Sequence, residues 1–563
     1  MDALVSIMAA PLLASTLDDL FLLLYRVIGP GRRMPELGPL PEKLPRIAIF
    51  ICCWQEAAVI RRMLDDNSRA IYYKGDYRIY VGLYPNDLET IEEVQKAAAR
   101  HSRIRLAVGE RPGKSTKADN LNQVYQRMLA DEASEGFRFD AVVVHDAEDQ
   151  IDKDELRMVA RALERYAMIQ VPVKALPDPP LRVRGIYCED FAYNHIVELP
   201  ARAALGGFVP SAGVGTAYRR DVLDRMAERG GGRLFESGSL TEDYESGLLV
   251  HRLGYRQLFL PLAWGPSPPT AEHFPAQFWR AVTQRSRWIR GIALQSWKRH
   301  RWGRGWEAYW FLHDRKAIAL NLLAPVVTVW FGAGLIRWLL GYGGAPWSGS
   351  GLMAANLVAG ALVWAGRVWA TARVYGGAFA AGFPWRRLVA MAVDCCAAFK
   401  ALYEQSGRAG AGWAKTAHTY PSEQRSEGRI TVEEVLECEG VLTGAQVRQA
   451  RASCPVGRSM AMHLAELGWV GEEAMAEALE RQSGLERAGS RHPHLRVSRI
   501  FSAGVATRYQ LLPLGIEDGE LVVGVPYPIG REGLAELRRY TRMKVRLVLM
   551  TKGGWEGMAR SVL

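Results

Sequence analysis

The sequence predicts an α/β domain on a mostly parallel sheet, followed by transmembrane helices and a small α+β C-terminal domain. Three observations predict this. From residue 46 onward, short apolar runs alternate with helical stretches, as in βαβ units. Residues 317–340 and 352–372 are apolar enough and long enough to span a bilayer. Beyond a polar stretch at 413–428, a weak 28-residue repeat gives way to three short apolar runs.

At 563 residues the chain exceeds what one hydrophobic core holds, and two to four domains are expected. Its net charge of +11 comes mostly from arginine, which suits nucleic acid, an anionic membrane or phosphorylated substrates. Zinc-type cysteine spacing and RNA-binding signatures are both missing from the sequence, so nucleic acid is not the expected partner. The seven cysteines are odd in number, and Cys52-Cys53 and Cys395-Cys396 are adjacent. That is a poor disulfide framework and fits a reducing compartment.

Residues 4–28 are apolar but broken by Asp18-Asp19. They lack a basic leader and a clear cleavage site, so 1–30 reads as an N-terminal membrane segment rather than a secretory signal. Residues 46–53 read as a first buried strand and 77–83 as the next, ending at Tyr84-Pro85-Asn86-Asp87. Asp87 can accept from a nucleobase or ribose; a turn carboxylate after proline is equally compatible. In 111–122, Lys117 with Asp119, Asn120 and Asn122 opens a helix, where the dipole favours phosphate. Gly113-Lys114-Ser115 is not a P-loop, because the upstream glycine is missing and Gly109 stands too close.

The stretch 139–151 (FDAVVVHDAEDQI) is a β-branched run ending in Asp146, Glu148 and Asp149. A buried parallel strand that delivers carboxylates to its C-terminal edge reads this way. Asp146 and Glu148 can grip a hard divalent cation that neutralises a diphosphate, or the acids can simply cap the next helix. Pro210–Thr216 (PSAGVGT) is a small-residue loop whose backbone can approach a sugar. In LTEDYESG, Glu242 and Asp243 front a helix that Thr241 caps. Gln284-Arg285-Ser286-Arg287-Trp288 lies in an aromatic, basic helix of the kind that also lies on membrane surfaces.

The ordered set Asp87, Lys117-Ala118-Asp119-Asn120, Asp146-Ala147-Glu148, Thr241-Glu242-Asp243 and QRSRW resembles family-2 glycosyltransferases of the membrane-bound processive type, relatives of cellulose and hyaluronan synthases. TKADNLN, HDAED, VPSAGVGT, LTEDYESG and WAKTAHTYPSE carry a closer likeness, over nearly the whole chain, to inner-membrane glycosyltransferases of the phage-adsorption type. The resemblance implies a GT-A-like nucleotide-sugar-binding domain over 45–305 and a UDP-sugar donor. Asp87 would hold the uridine, and Lys117, Asp119 and Asp146 would sit by the diphosphate. Asp146 and Glu148 would bind Mg²⁺ or Mn²⁺, with Glu148 in place of the more usual second Asp. Asp243, beside Glu242, would be the general base, and Gln284, Arg287 and Trp288 the acceptor platform. The implied activity is inverting transfer of a hexose or N-acetylhexosamine to a growing surface polysaccharide or lipid-linked acceptor, with an outer-membrane partner for export. The alternative is a degenerate transferase kept as a receptor or sensor in phage adsorption. The presence of every expected acid favours the enzyme.

The loop 341–351 has no Lys or Arg, whereas 298–316 and 373–387 carry several. Positive-inside then places the catalytic and C-terminal domains in the cytoplasm of a multi-pass protein of the bacterial inner (cytoplasmic) membrane. Residues 384–405, with Arg386, Arg387, Asp394 and Lys400, are expected to lie in the interface, within a membrane region at 317–405. The tail, 429–563, resembles the N-terminal domain of type II secretion ATPases, whose tandem repeat binds cyclic di-GMP. Those repeats open with Arg-Leu-Gly; here Thr431-Val432-Glu433 and Ser459-Met460-Ala461 stand instead, with Arg458 one position early. The tail is therefore either a cyclic di-GMP regulator or a plain packing domain.

Overall fold

Apolar runs bounded by turn residues become strands: β1 (Ile47–Cys52), β2 (Tyr77–Leu83), β3 (Ile104–Val108), β4 (Ala141–Asp146), β5 (Met168–Gln170), β6 (Val173–Ala175), β7 (Thr216–Arg219), β8 (Gln257–Phe259) and β9 (Thr270–Glu272). In this computed structural model the described residues are 2–562 except 34, 114, 180, 263–268, 346–350, 407–418, 422–429, 456, 495–496, 498–499, 530–536, 538 and 542. Seven strands form one sheet in the order β3-β2-β1-β4-β7-β5-β8, and β6 pairs with β9 separately. Only β7 runs antiparallel to its neighbours, so this is the GT-A-like, mostly parallel sheet that was expected. Cys52 pairs in register with Gly82 on one side and Asp146 on the other. The carboxyl ends of β1, β2 and β4 are thereby level, and open α/β sheets bind ligands at that edge.

The helix Lys117–Glu135 buries Leu121, Val124, Tyr125 and Met128 against Phe50, Tyr80, Val142 and Val144 of the sheet. Its N-terminus is fixed by a reciprocal capping box between Thr116 and Asp119. That packing and that cap together place Lys117 at the ligand edge.

Among the described residues, three helices are long and apolar enough to cross a membrane: Met8–Val27, Ala317–Leu339 and Gly351–Tyr375. Ala317–Leu339 has no fully buried residue, and Val327, Trp330 and Phe331 pack partly buried against Ala9 and Met353. Asp18 and Asp19, which interrupt the first apolar run, are both paired. Lys316 Nζ lies 2.6 Å from Asp18 and 2.7 Å from Asp19, and His313 lies 2.6 Å from Asp18. A carboxylate in an apolar helix is tolerated when it faces such a partner. Phe383–Gln405, expected to lie in the interface, is one amphipathic helix. Phe383, Arg386, Ala390, Val393, Ala397 and Ala401 are buried, while Trp385 and Phe399 are exposed.

The chain divides into two compact units, 1–67 with 75–424, and 68–74 with 425–563. In the second, the repeat is two helical pairs, Val432–Cys438 with Gly444–Ser453 and Met460–Glu466 with Glu472–Ser483. Each pair turns at a glycine with positive φ, Gly440 (76°) and Gly468 (67°), as the expected glycine turns require. Strands β10 (Leu512–Glu517), β11 (Glu520–Val525) and β12 (Lys544–Leu549) follow. The core of this unit gathers Leu436, Leu464, Leu479 and Val523 around a residue from far upstream, Tyr72. The Tyr72 hydroxyl meets Glu437, Lys74 pairs with Glu437 at 2.9 Å, and Arg481 donates to the Ile71 carbonyl. Most of the expected linker, 413–428, lies outside the described residues.

Candidate active site

At the end of β1, Gln55 takes a left-handed conformation (φ 56°), and its N–H donates to Asp87 Oδ2 at 2.5 Å. This strained residue closes a turn that also carries Trp54, whose ring meets Tyr84 edge-on at 5.1 Å. The Tyr84 hydroxyl is 2.8 Å from Ser115 Oγ. Asp87, after β2, is buried in this aromatic corner. A planar base with polar edges suits such surroundings.

The acidic turn after β4 is held from behind by a fully buried histidine. His145 Nδ1 lies 2.9 Å from Asp149 Oδ2, and Nε2 lies 2.8 Å from Glu155 Oε1. Burial opposes its charge, but the flanking carboxylates outweigh that and hold the imidazole pKa at about 10. Asp149 Oδ2 also accepts the Asp146 N–H at 3.0 Å, which shapes the turn that presents Asp146 and Glu148. Asp149 Oδ1 is buried without a hydrogen-bond partner among the described residues.

Lys117 spans the site. Its Nζ lies 2.5 Å from Asp146 Oδ1 and donates to the Gly213 carbonyl at 3.1 Å. Burial opposes the charge, but Asp146 and Glu242 keep the ammonium pKa raised. Asp119 has a different part from the one expected. Oδ2 accepts from Thr116 and Oδ1 from Ser237, so both oxygens serve the cap and the facing loop. The neighbouring Asn122 likewise fixes that loop through Leu234 and Phe235.

The loop before β7 brings its backbone close, as its small residues predict. Gly213 has φ +78°, and a Cβ there would stand 2.8 Å from Asp243 Oδ2 and 3.2 Å from Lys117 Nζ. Thr241 precedes the helix Glu242–Arg252, and Gly291 packs so tightly on Thr241 that a Cβ would come within 2.4 Å. Burial and the Asp243 charge push Glu242 up to about 7. Asp243 is also raised, by burial, against the opposing pull of Lys117, Tyr244 N–H and Arg287.

QRSRW ends the helix Phe278–Trp288, which continues as a π-helix over Ile289–Gln295. Its two arginines diverge. Arg285 is locked between Asp190 (2.7 Å) and Asp394 (2.5 Å), a structural pair of bridges. Arg287 instead acts electrostatically on Glu242 and Asp243, and its Nε is buried without a partner. Gln284 Oε1 is another buried, unpartnered atom, and Trp288 packs edge-on to Tyr187.

The sheet edge thus brings together Asp146, Lys117, Glu242, Asp243 and Arg287, with Asp87 at the end of the adjacent strand. His145, Glu155, Gln55 and Trp54 were not singled out from the sequence, and Asp149 was seen only as one of the acids after β4, because their roles depend on contacts that no motif displays. Cys52 and Cys53 lie close by, and burial raises both thiol pKa values. An acidic turn whose donors are all carboxylate oxygens, with an unsatisfied buried oxygen behind it, fits a hard divalent cation.

The family described as "Glycosyltransferase like family 2" matches residues 45–291, and the MshEN domain matches 484–559. Bacteriophage adsorption protein B of Escherichia coli (strain K12) is 30% identical, covering 97% of this chain and 80% of its own length. Among solved structures, a mannosyltransferase from Pyrobaculum calidifontis in complex with GDP-Man and Mn²⁺ is 19% identical. It covers 71% of this chain and 99% of its own, with a TM-score of 0.44. A structure of MshE with cdg is 20% identical over 24% of this chain and 100% of its own, with a TM-score of 0.22.

Proposed function

The chain belongs to the family of bacteriophage adsorption protein B and carries a family 2 glycosyltransferase domain; from that premise we propose a membrane-bound inverting transferase. It would move a hexose or N-acetylhexosamine from a UDP-sugar to a growing surface glycan. The observation that carries this is Lys117, whose Nζ touches both Asp146 of the acidic turn and the Gly213 carbonyl beside Asp243. Donor-side and acceptor-side groups therefore meet at one point.

Asp146 and Glu148 would hold a divalent cation, which when bound neutralises the diphosphate leaving group. Lys117 adds a fixed positive charge beside it, and Asp87 with Trp54 and Tyr84 receives the base. Asp243 takes the proton of the acceptor hydroxyl. Its raised pKa makes it a stronger base than an exposed aspartate; burial, with the charge of Asp146 adding to it, maintains that elevation. Arg287 Nε, unsatisfied among the described residues, would donate to a sugar or phosphate oxygen, and the unsatisfied Gln284 Oε1 would accept from a sugar hydroxyl.

The three apolar helices support a multi-pass protein with the transferase on the cytoplasmic side. The MshEN match supports a regulatory tail, with cyclic di-GMP as the ligand to test. Glu433 and Glu434, at the start of the first repeat and upstream of the MshEN match, are both tied to Arg451 at 3.0 Å.

The purified full-length protein, given a panel of UDP-sugars with Mn²⁺ or Mg²⁺ and a glycan primer, should release UDP with one of them. Binding of a UDP-sugar without turnover across the whole panel would instead leave the receptor or sensor alternative standing.

A further inference from the structure

The motifs leave out Glu272, the last residue of β9. On one side β9 pairs with β6. On the other, Ala271 forms an antiparallel bridge with Gln150, directly after the acidic turn: the Gln150 N–H donates to the Ala271 carbonyl at 2.8 Å, and the reverse bond is 3.0 Å. Alternation along a strand puts Thr270 and Glu272 on the same face. Thr270 Oγ1 donates to Glu155 Oε2 at 3.0 Å, and Glu155 is the partner of His145 behind the turn. That face of β9 is therefore turned toward the acidic turn.

The antiparallel bridge sets Glu272, one residue after Ala271, beside Asp149, one residue before Gln150. The charges of Asp149, Glu148 and Asp146 all act on the half-buried Glu272 carboxyl. Among the described residues, no hydrogen bond or ion pair reaches the Glu272 side chain. Across the bridge Asp149 is fully buried: its Oδ2 is taken by His145 and the Asp146 N–H, while its Oδ1 has no hydrogen-bond partner among the described residues. A buried carboxylate oxygen left over beside further acids is costly unless a cation belongs there.

We propose that Glu272 is a further carboxylate of the divalent-cation site, supplied by β9 from more than a hundred residues downstream of Asp146 and Glu148. The inference rests on the transferase reading of the acidic turn. It makes the site a clamp between two chain segments rather than a single loop.

The test is Mn²⁺ binding to the full-length protein in detergent, followed by electron paramagnetic resonance of free Mn²⁺ and by calorimetry, without donor and then with UDP. Glu272→Gln should weaken Mn²⁺ binding by about tenfold or more, and Glu272→Asp, which keeps the charge, by less. Asp146→Asn serves as the positive control, and thermal melting confirms that each variant is folded. Wild-type protein that binds Mn²⁺ alongside Glu272→Gln that binds it within about twofold overturns the inference alone. Wild-type protein that binds no Mn²⁺, with or without UDP, overturns the cation site itself and this inference with it. If Glu272→Gln does not fold, Glu272→Asp decides: unchanged Mn²⁺ affinity and stoichiometry there would count against a ligand whose reach has been shortened.

Discussion

Replacing Gly213 by alanine separates catalytic geometry from stability. The new methyl group would meet Asp243 Oδ2 at 2.8 Å and Lys117 Nζ at 3.2 Å. Both are the far ends of side chains, so relief costs the fold little, but both are groups on which transfer depends. The backbone term comes from φ +78°, where a Cβ costs about 1–2 kcal/mol. For a domain of this size that lowers the melting temperature by roughly 2–4 °C per kcal/mol. The catalytic term is larger. Moving a base or a phosphate-facing cation by about 1 Å can cost on the order of a hundredfold in rate. Gly213→Ala should therefore melt only a few degrees below wild type while losing about two orders of magnitude in UDP release. UDP binding, followed by calorimetry, should weaken much less than turnover. A variant within threefold of wild-type turnover would show that Asp243 and Lys117 are not the groups that matter, or that the loop is free to retreat from them.

Further outcomes are expected. Asp243→Asn should keep UDP binding and lose transfer by at least about a hundredfold, the scale of a missing general base; activity within a few fold would remove Asp243 from that role. Because burial raises Asp243, the base takes up its proton at a higher pH than an exposed aspartate does, so kcat/KM should begin to fall on acidification above the ordinary aspartate range. A profile that stays flat down to an ordinary aspartate pKa of about 4 would contradict this. His145→Gln leaves Asp149 and Glu155 buried with no cation between them and should destabilise the protein by about 3–5 kcal/mol, read by chemical denaturation. A reporter inserted at Gly343 should appear on the periplasmic side and one at the C-terminus in the cytoplasm; a periplasmic C-terminus would mean that Phe383–Gln405 also crosses.

The strands β1, β2 and β4 are legible in the sequence because a strand buried on both faces is a continuous apolar run, and each ends abruptly in polar residues. The glycine loop at 210–216 is legible because close approach restricts residue type locally; Thr241, expected to cap the next helix, makes no side-chain cap bond, because its side chain is pressed against Gly291. The three-residue strands β5, β6, β8 and β9 are not, because their pairing is set by distant partners rather than by period. Glu272 was invisible for that reason: nothing in Thr270-Ala271-Glu272 signals that Gln150 will bridge it. Asp119 misled in the opposite sense, since a capping box and a phosphate-facing acid leave the same trace at a helix start. His145 reads as one more residue of an apolar run until Glu155, ten positions on, is seen to meet its ring.

Because residues 68–74 are built into the core that the C-terminal region forms, the chain enters that unit twice and leaves it once before its end. A gene truncated at residue 424 would not yield a clean transferase. It would strip Tyr72 of the apolar neighbours that keep it 7% exposed, and leave an unsupported loop directly before β2. An excised tail starting at 425 would in turn lack an aromatic ring from its own interior. Ligand titrations and chimaeras are therefore best made by point substitution in the intact chain. Any exchange of the tail between relatives has to carry the short upstream segment with it, so the two stretches are expected to change together as a matched set.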